Sequence, residues 1–336
     1  MQETKILRSE LYDDLLRYCR QVVLKTMDRV RGMMRGSDRL LLREITAGRS
    51  RKAQDNLTKG IDQDAENLIV QSLQKKMNRV DPKMPFIVIS EELGVATFPK
   101  ETLCEDVDLV FLIDPIDGTE FIETLQGGWS LMTIYSRRSG RVIGTVAGDI
   151  FLNRLYWAGT KGPAECLDFV THSWFKLDGG PNPKNTLTGA RVNVLTTKVP
   201  RFRAVARETA LLDALEKAGA RINLSWGSNM VVQVAAGYAD VAIEFAKGFS
   251  TYDILPGIFL AEKAGLTILD MDGRQVSSRV SIDPTIRAHR SDPTNLPRQK
   301  FIAAKDPRLA HDVLDLLSPT ARTRALQPSI REWFPG

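Results

Sequence analysis

The hydrophobic pattern near the N-terminus predicts two amphipathic helices. Apolar side chains recur at roughly helical spacing over residues 9–30, and this spacing predicts the first helix; they are Leu11, Leu15, Tyr18, Val22 and Met27. A second helix is predicted over residues 62–77. The stretch between them, residues 43–59, is polar and basic and predicts an exposed loop.

Two short apolar runs come next, and carboxylates follow each of them. Residues 85–89 and 109–113 are rich in β-branched and aliphatic side chains, which predicts two buried strands. Glu91 and Glu92 follow the first run, and Asp114 follows the second. Buried strands that deliver acids at their C-terminal ends are typical of a functional site.

The rest of the chain changes character twice. Residues 129–157 alternate apolar and polar positions between glycine turns, as the strands of an antiparallel meander do. Residues 159–189 are rich in Gly, Pro and polar groups and predict an irregular excursion. After residue 191, strands alternate with helices: helices are predicted over residues 208–218, 228–237, 252–264 and 307–317, and strands over 221–224, 239–245, 266–269 and 301–304.

These patterns describe an α/β protein with an α+β N-terminal half and an α/β C-terminal half. We expect an N-terminal domain over residues 1–198 that carries most of the acidic candidates, and a C-terminal domain over residues 199–318 that contributes Asp253. Residues 319–336 are expected to form a C-terminal extension.

Composition narrows the class of protein. With 336 residues, of which 43% are apolar and 26% charged, the chain can bury a sizeable core. No apolar run reaches the roughly 18 residues of a membrane span, and no secretory signal is evident, so we expect a cytoplasmic protein. The three cysteines are far apart and are interpreted as reduced thiols. The net charge of +5 is scattered, which argues against nucleic acid as a partner and suits an anionic small substrate.

Residues 114–119, with the sequence Asp-Pro-Ile-Asp-Gly-Thr, are the candidate metal- and phosphate-binding segment. A strand ends in Asp114, the proline forces a turn, and Asp117 follows three residues later, so both carboxylates can face one point. Gly118 allows close backbone approach, and the N–H groups of Gly118 and Thr119 at a helix start are candidates for holding a phosphate oxygen. Closely spaced carboxylates suit Mg²⁺, which usually keeps waters and a substrate phosphate.

Glu91 and Asp253 supply a third and a fourth acid. With Asp114 and Asp117 they would suffice for two ions, one to activate water and one to stabilise the leaving oxygen of a phosphate ester. The chain has only three histidines, two in apparent loops and one on the last predicted helix, so a histidine-based mechanism is disfavoured. The sequence therefore predicts a Mg²⁺-dependent phosphomonoesterase.

Each candidate also has a structural interpretation. An isolated Asp-x-x-Asp is usual in turns that carry Asx hydrogen bonds, and Asp253 could cap the helix that it begins. Glu244 is either a substrate contact or a solvated charge, and Lys247 is either a substrate contact or a loop lysine. Trp226 is interpreted as a core or edge aromatic rather than a stacking platform.

The sequence resembles the inositol monophosphatase superfamily of Mg²⁺-dependent, lithium-sensitive phosphatases over roughly residues 55–317. Its strongest motif is the Asp-Pro-Ile-Asp-Gly-Thr segment. Ser90-Glu91-Glu92 stands where the family usually has Gly-Glu-Glu, and Tyr252-Asp253 stands where it usually has Trp-Asp. The resemblance implies a layered αβαβα sandwich of the sugar phosphatase type and a requirement for two or three Mg²⁺ ions.

The resemblance also implies roles for individual residues. It assigns one ion to Glu91, Asp114 and the carbonyl of Ile116, a second to Asp114, Asp117 and Asp253, and a third that leans on Glu91. Thr119 and an early acid would orient the attacking water. That acid corresponds to Asp62, although the spacing from Thr58 carries one residue more than the family motif. The loop over residues 43–59 is then expected to close over the site.

The substrate is assigned from weaker cues. Residues 227–233, which include Ser228, resemble the branch of the superfamily that acts on 3'-phosphorylated adenosine nucleotides, yet Met230 stands where that branch usually has lysine. Lys247 is the substitute cation. Glu244 corresponds to an acid that contacts sugar hydroxyls in the monophosphatase branch. We therefore expect a small sugar or inositol phosphate as substrate.

Two enzymatic alternatives stay open, a 3'(2'),5'-bisphosphate nucleotidase and a fructose-1,6-bisphosphatase. An alternative from another class is an inactive, metal-binding regulatory protein. Members of the superfamily are often dimers, so a homodimer is a further expectation from the resemblance.

Overall fold

The computed structural model describes residues 2–35, 60–195, 198–292 and 296–323. The loop over residues 43–59, Thr58 and most of the C-terminal extension lie outside the described residues. The helices are α1 (Gln2–Arg35), α2 (Gly60–Val80), α3 (Thr119–Glu123), α4 (Val199–Ala206), α5 (Thr209–Lys217), α6 (Asn229–Ala235), α7 (Thr251–Lys263), α8 (Asp283–Ser291), α9 (Pro307–Leu316) and α10 (Pro319–Thr323).

The strands form two sheets. They are β1 (Phe86–Ser90), β2 (Gly94–Phe98), β3 (Leu109–Asp117), β4 (Trp129–Ser136), β5 (Arg141–Asp149), β6 (Arg154–Gly159), β7 (Glu165–Asp168), β8 (Ser173–Lys176), β9 (Arg191–Leu195), β10 (Arg221–Ser225), β11 (Val241–Ser250), β12 (Thr267–Leu269) and β13 (Arg298–Ala304). The larger sheet has the order β2-β1-β3-β4-β5-β6-β7-β8, and the smaller has the order β10-β9-β11-β13-β12.

Alternating strand residues bury both faces of the larger sheet. On β3, Phe111 and Ile113 join the core cluster that holds the apolar faces of α1 and α2. Val110 and Leu112 point to the opposite face, where they pack in the core cluster of α6 and α7. Because both faces are covered, these strands are apolar throughout, as fully buried strands are.

The smaller sheet is covered in the same way. On β11, Ala242 packs toward α6 and α7, whereas Val241 and Ile243 pack toward α5 and α9. The layers therefore run from α1 and α2 through the larger sheet, the central helices and the smaller sheet to the outer helices. This is the αβαβα sandwich that the sequence predicts, and that prediction is confirmed.

The prediction of an irregular excursion over residues 159–189 is wrong for part of that segment. Strands β7 and β8 form there and extend the larger sheet by two antiparallel pairings. The two strands are only four residues long, too short to show alternation, and each pairs with a neighbour that the local sequence does not reveal. Strand β2, strand β9 and helices α4 and α8 are further elements without a prediction.

The first helix is longer than predicted, from Gln2 to Arg35 rather than over residues 9–30. Among the described residues, no helix is both long enough and apolar enough to cross a bilayer.

Candidate active site

Parallel strands bring the first two acids together. Strands β1 and β3 are parallel neighbours, with Ser90 paired to Ile113. Glu91 and Asp114 follow these two residues directly, so they emerge side by side at the same edge of the sheet. The pairing of β3 with β4 becomes irregular between Asp114 and Asp117. In a regular strand, residues three apart point to opposite faces of the sheet. The irregularity lets Asp114 and Asp117 both face the same pocket.

A left-handed glycine begins the short helix after the loop. Gly118 has φ 90° and is the N-cap of α3, a conformation that suits glycine because it has no Cβ. Thr119, the next residue, donates its hydroxyl proton to Asp62 Oδ1 at 2.7 Å, and its Oγ1 lies 3.1 Å from the carbonyl oxygen of Ile116. Asp62 lies buried in the first turn of α2. The fold thus places Asp62 against Thr119 despite the extra residue in the early motif.

Asp253 caps a helix and also faces the pocket. It is the third residue of α7 and forms a capping box with Ser250, whose backbone N–H donates to Asp253 Oδ2 at 3.2 Å. It also lines the pocket with the other three acids. Because one carboxylate oxygen caps the helix, the side chain is fixed in direction.

A segment of the C-terminal half wraps around Asp117. The indole N–H of Trp226 donates to the carbonyl oxygen of Asp117 at 3.3 Å, and its ring stacks on Phe121 with 3.8 Å between centroids. The Ser228 N–H donates to Asp117 Oδ2 at 3.2 Å. Gly227 has φ 50°, and a Cβ there would overlap the Asp117 carboxylate. The loop acid is therefore held by backbone from the other half of the chain.

These residues surround a pocket of about 590 Å³, which includes space open to solvent. Its lining comes from both halves of the chain: Glu91, Asp114, Ile116, Asp117, Gly118, Thr119, Glu120, Phe121, Leu195, Arg201, Trp226, Lys247, Phe249 and Asp253. Asp62 is behind Thr119 and does not belong to this lining. The five predicted metal-ligating residues all lie in the lining.

Burial and mutual repulsion raise the pKa values of two pocket acids. The pKa of Asp117 is raised well above its usual range, first because the carboxyl is buried and then because Asp253 is negatively charged. Burial, followed by the charge of Glu91, raises the pKa of Asp253 to about 6. Acids that are desolvated together favour a bound cation, since a cation offsets both effects.

The donors fit a hard divalent cation. All of the candidate ligands are oxygens, four carboxylates and the carbonyl of Ile116, which is the donor set that Mg²⁺ prefers. Within the described ranges, no three carboxylate, imidazole or thiol groups close on one point. A site here would therefore combine carboxylates with the carbonyl, water and substrate oxygens, as Mg²⁺ sites usually do.

The predicted substrate contacts differ in position. Lys247 lines the pocket, whereas Ser228 and Glu244 lie behind its wall. Ser228 is fully buried; its hydroxyl donates to the carbonyl oxygen of Asp253 and accepts the N–H of Gly257 at 3.1 Å. Glu244 is buried, so it is not the solvated charge that the sequence left open, and its Oε1 accepts the backbone N–H groups of Lys247 and Gly248.

Five residues of the lining lack any prediction from the sequence: Glu120, Phe121, Leu195, Arg201 and Phe249. Arg201 comes from α4, whose eight residues give too short a pattern to recognise. Phe121 is the second residue after the loop motif, and it stacks on Trp226, which is 105 residues away in a different half of the chain. Trp226 packs against the core cluster of α6 and α7, as an edge aromatic does, and it also lines the pocket. The proximity of Phe121 to the loop motif was the one available signal.

Comparison with known proteins agrees with the fold and identifies a family. The model of the inositol monophosphatase family matches residues 20–316. No curated protein matches the chain. An inositol monophosphatase from Anabaena (Nostoc) sp. PCC 7120 superposes with a TM-score of 0.61 at 15% identity and covers 91% of this chain and 97% of its own. SuhB from Mycobacterium tuberculosis gives 0.60 at 16% identity, with coverage of 94% and 98%.

An IMPase from Thermotoga maritima gives a TM-score of 0.60 at 17% identity and covers 90% of this chain and 96% of its own. At these identities, the superpositions establish the fold alone. The family model carries more information, because it spans most of the sequence. On that match, the chain belongs to the inositol monophosphatase family.

Proposed function

We propose that the protein is a Mg²⁺-dependent phosphomonoesterase that hydrolyses a small sugar or inositol phosphate with water as the nucleophile. The observation that carries the proposal is the convergence of Glu91, Asp114, Asp117 and Asp253 in one pocket from three separate elements. Membership of the inositol monophosphatase family and the names of the structural relatives support the reaction class.

The proposed ligands follow the motif. Glu91, Asp114 and the Ile116 carbonyl would hold one ion, and Asp114, Asp117 and Asp253 a second; a third would lean on Glu91. Bound Mg²⁺ would supply Lewis acidity, both to activate water and to stabilise the charge on the leaving oxygen.

Thr119 and Asp62 would handle the proton of the attacking water. Thr119 Oγ1 already donates to Asp62 Oδ1 at 2.7 Å, so its lone pairs face away from that carboxylate. A water on the pocket side can donate to Oγ1, and its proton can pass through the hydroxyl to Asp62. Gly118 and Thr119 would hold a phosphate oxygen through their backbone N–H groups.

Four carboxylates of the pocket are assigned to the proposed ions, which leaves few side chains as alternative nucleophiles. Among the described residues that line it, Thr119 carries the only hydroxyl group, and there is no thiol or imidazole. The hydroxyl of Thr119 is engaged with Asp62. Attack by water, without a covalent intermediate, therefore suits this set of side chains better than covalent catalysis.

The test is a phosphate-release assay on a panel of sugar, inositol and nucleotide monophosphates and bisphosphates with Mg²⁺, with and without Li⁺. We expect Mg²⁺-dependent release that Li⁺ inhibits. Asp117→Asn should lower kcat by at least about 100-fold, because it removes a charged ligand from one of the proposed ions.

Asp272→Asn is the control, since Asp272 is exposed and its ion pair is with Arg274. It should behave as the wild type. Release of no phosphate from any ester, or an Asp117→Asn variant as active as the wild type, would reject the proposal. The first outcome would favour a regulatory protein that binds metal without catalysis.

A further inference from the structure

Helix α3 receives little apolar packing from the first half of the chain. The helix is five residues long, and of the side chains that the structure describes over residues 119–126, Ile122 alone is buried. Ile122 packs in the core cluster of α1 and α2. The ion pair between Glu120 and Lys198 ties α3 to the second half of the chain at 3.2 Å, but solvent reaches both side chains, and such pairs contribute little.

The indole of Trp226 covers this helix from its start to beyond its end. At the start, Nε1–H donates to the carbonyl oxygen of Asp117 at 3.3 Å. In the middle, the ring stacks on Phe121 with 3.8 Å between centroids. A Cβ at Gly118 would overlap Nε1, and a Cβ at Gly127 would lie 2.5 Å from Cη2. The indole therefore occupies space that two glycines leave open.

The turn that carries Trp226 is itself fixed. The backbone N–H of Trp226 donates to Asn229 Oδ1 at 3.3 Å, and the hydroxyl of Ser225 donates to the same oxygen at 2.6 Å. Two residues after Trp226, the N–H of Ser228 donates to Asp117 Oδ2 at 3.2 Å. One turn of the second half therefore holds Asp117 both at its backbone carbonyl and at its carboxylate.

We propose that Trp226 is a positioning residue: its indole sets the place of Asp117 and of α3, and thereby the affinity of the acidic pocket for Mg²⁺. This inference rests on the proposed function, in which Asp117 is a metal ligand. Mg²⁺ demands a near-ideal octahedron of oxygens, so a small displacement of one carboxylate weakens its binding. Groups that orient the ligands of a metal typically change its affinity by about 10- to 100-fold when they are substituted.

Calorimetric titration with Mg²⁺ alone tests the role of the indole. Trp226→Ala should raise the Kd for Mg²⁺ at least about tenfold. Trp226→Phe keeps a ring against Phe121 but lacks the N–H donor, so it should raise the Kd by about threefold to tenfold. Because no substrate is present, a contact between the indole and the substrate cannot produce these changes. Trp174→Ala, which removes an exposed indole from β8, is the control and should bind Mg²⁺ as the wild type does.

Gly127→Ala moves the indole from outside the pocket. Gly127 does not belong to the pocket lining, and a methyl group there would displace Cη2 and Cζ2 of Trp226. We expect the Kd for Mg²⁺ to rise at least about fivefold. In a Trp226→Phe background the same substitution should change it less than about twofold, because phenylalanine lacks those two atoms. Backbone strain at Gly127 is common to both backgrounds and cancels in this comparison. Gly140→Ala is the matched control, since no atom lies within 4 Å of its Cβ position, and it should bind Mg²⁺ as the wild type does.

A merely structural role for Trp226 would give a different result. Urea unfolding of each variant shows whether it is folded and how much stability it has lost. If Trp226→Ala and Gly127→Ala were less stable but bound Mg²⁺ as the wild type does, the positioning role would be overturned. Equal effects of Gly127→Ala on the Kd in both backgrounds would overturn it as well, since the indole would then not transmit the change.

Titration and phosphate release together separate this inference from the proposed function. If Trp226→Ala weakens Mg²⁺ binding and the wild type releases phosphate from no ester, the positioning role stands and the phosphatase is rejected. If the wild type releases phosphate with Mg²⁺ and Trp226→Ala binds Mg²⁺ equally well, the phosphatase stands and the positioning role is rejected. A wild type that binds no Mg²⁺ rejects both.

Discussion

Gly227 is the residue on which the position of Asp117 depends most directly. It combines a left-handed backbone, at φ 50°, with a neighbouring carboxylate that occupies the space of a Cβ. A residue with a Cβ would be strained by the left-handed backbone and would also clash with the carboxylate. The residue type at this position therefore follows from an atom more than a hundred positions away in the chain.

Gly227→Ala should lower the free energy of unfolding by about 2–3 kcal/mol and displace Asp117, since the added methyl group must push the carboxylate away. Gly219→Ala is the matched control, because Gly219 has φ 61° but no atom within 4 Å of the Cβ position. It should cost about 1 kcal/mol from the backbone alone. Urea denaturation measures both variants. If they were equally stable, the overlap with Asp117 would be absorbed without cost.

Thr119 tests the proposed proton path. Thr119→Val keeps the shape of the side chain and removes the hydroxyl that donates to Asp62, so kcat on the best ester should fall by about 10²- to 10⁴-fold. Thr119→Ser restores the hydroxyl and should keep most of the activity. Steady-state kinetics at saturating Mg²⁺ distinguish them. A valine variant as active as the serine variant would show that Thr119 takes no part in moving the proton.

At the scale of elements, a helix can pack closely on a sheet only where glycine leaves room for it. Helix α1 lies on β5, and a Cβ at Gly148 of β5 would approach Val23 Cγ1 to 2.7 Å and overlap Met27. Both contacts are core residues of α1. Gly32, in the exposed part of the same helix, has no atom within 4 Å of the Cβ position.

Two alanine substitutions should therefore change the free energy of unfolding in opposite directions. Gly148→Ala should destabilise the protein by about 1–3 kcal/mol through overpacking, whereas Gly32→Ala should stabilise it by about 0.5–1 kcal/mol through helix propensity. Both follow from thermal or urea unfolding of the full chain. Stabilisation by Gly148→Ala would mean that α1 can move away from the sheet at no cost.

At the scale of the whole molecule, the pocket lies where both halves of the chain meet. The first half supplies three of the acids, and the second supplies Asp253 and the backbone that holds Asp117. Burial of these acids disfavours their charged forms, so their protonation affects the free energy of unfolding of the protein. The division into domains over residues 1–198 and 199–318 stays a prediction.

The pH dependence of stability should report this linkage. In the folded protein, the pKa of Asp253 is about 6, above its ordinary value of 3.8. A raised carboxyl pKa contributes stability that is complete below the ordinary value and is lost as the pH rises through the folded value. In EDTA, the free energy of unfolding of the wild type relative to Asp253→Asn should therefore fall between pH 4 and pH 7, as measured by urea unfolding.

Mg²⁺ should reverse part of that fall in the wild type, because it binds the deprotonated carboxylates of the folded state. Asp272→Asn, an exposed acid outside the pocket, should follow the wild type at every pH. Parallel pH curves for the wild type and Asp253→Asn would contradict the raised pKa.

Much of the fold was predictable from local patterns. Helices α1, α2 and α7 and strands β1, β3 and β11 are long or strongly apolar, so their periods are legible in the sequence. Strands β7 and β8 were missed because four residues cannot display a period. Helix α4 was missed for a related reason, and Arg201 with it.

The sequence by itself determined the identity of the acids and their order in motifs, since a strand end, a turn and a helix start are local features that short segments encode. Only the tertiary structure decided which side chains share the pocket. It placed Asp62 against Thr119, placed Ser228 and Glu244 behind the wall of the pocket, and brought Arg201 into the lining. The positions of Ser228, Glu244 and Arg201 depend on how β9, β11 and α4 pack against a loop more than seventy residues earlier, and packing over such separations leaves no local pattern.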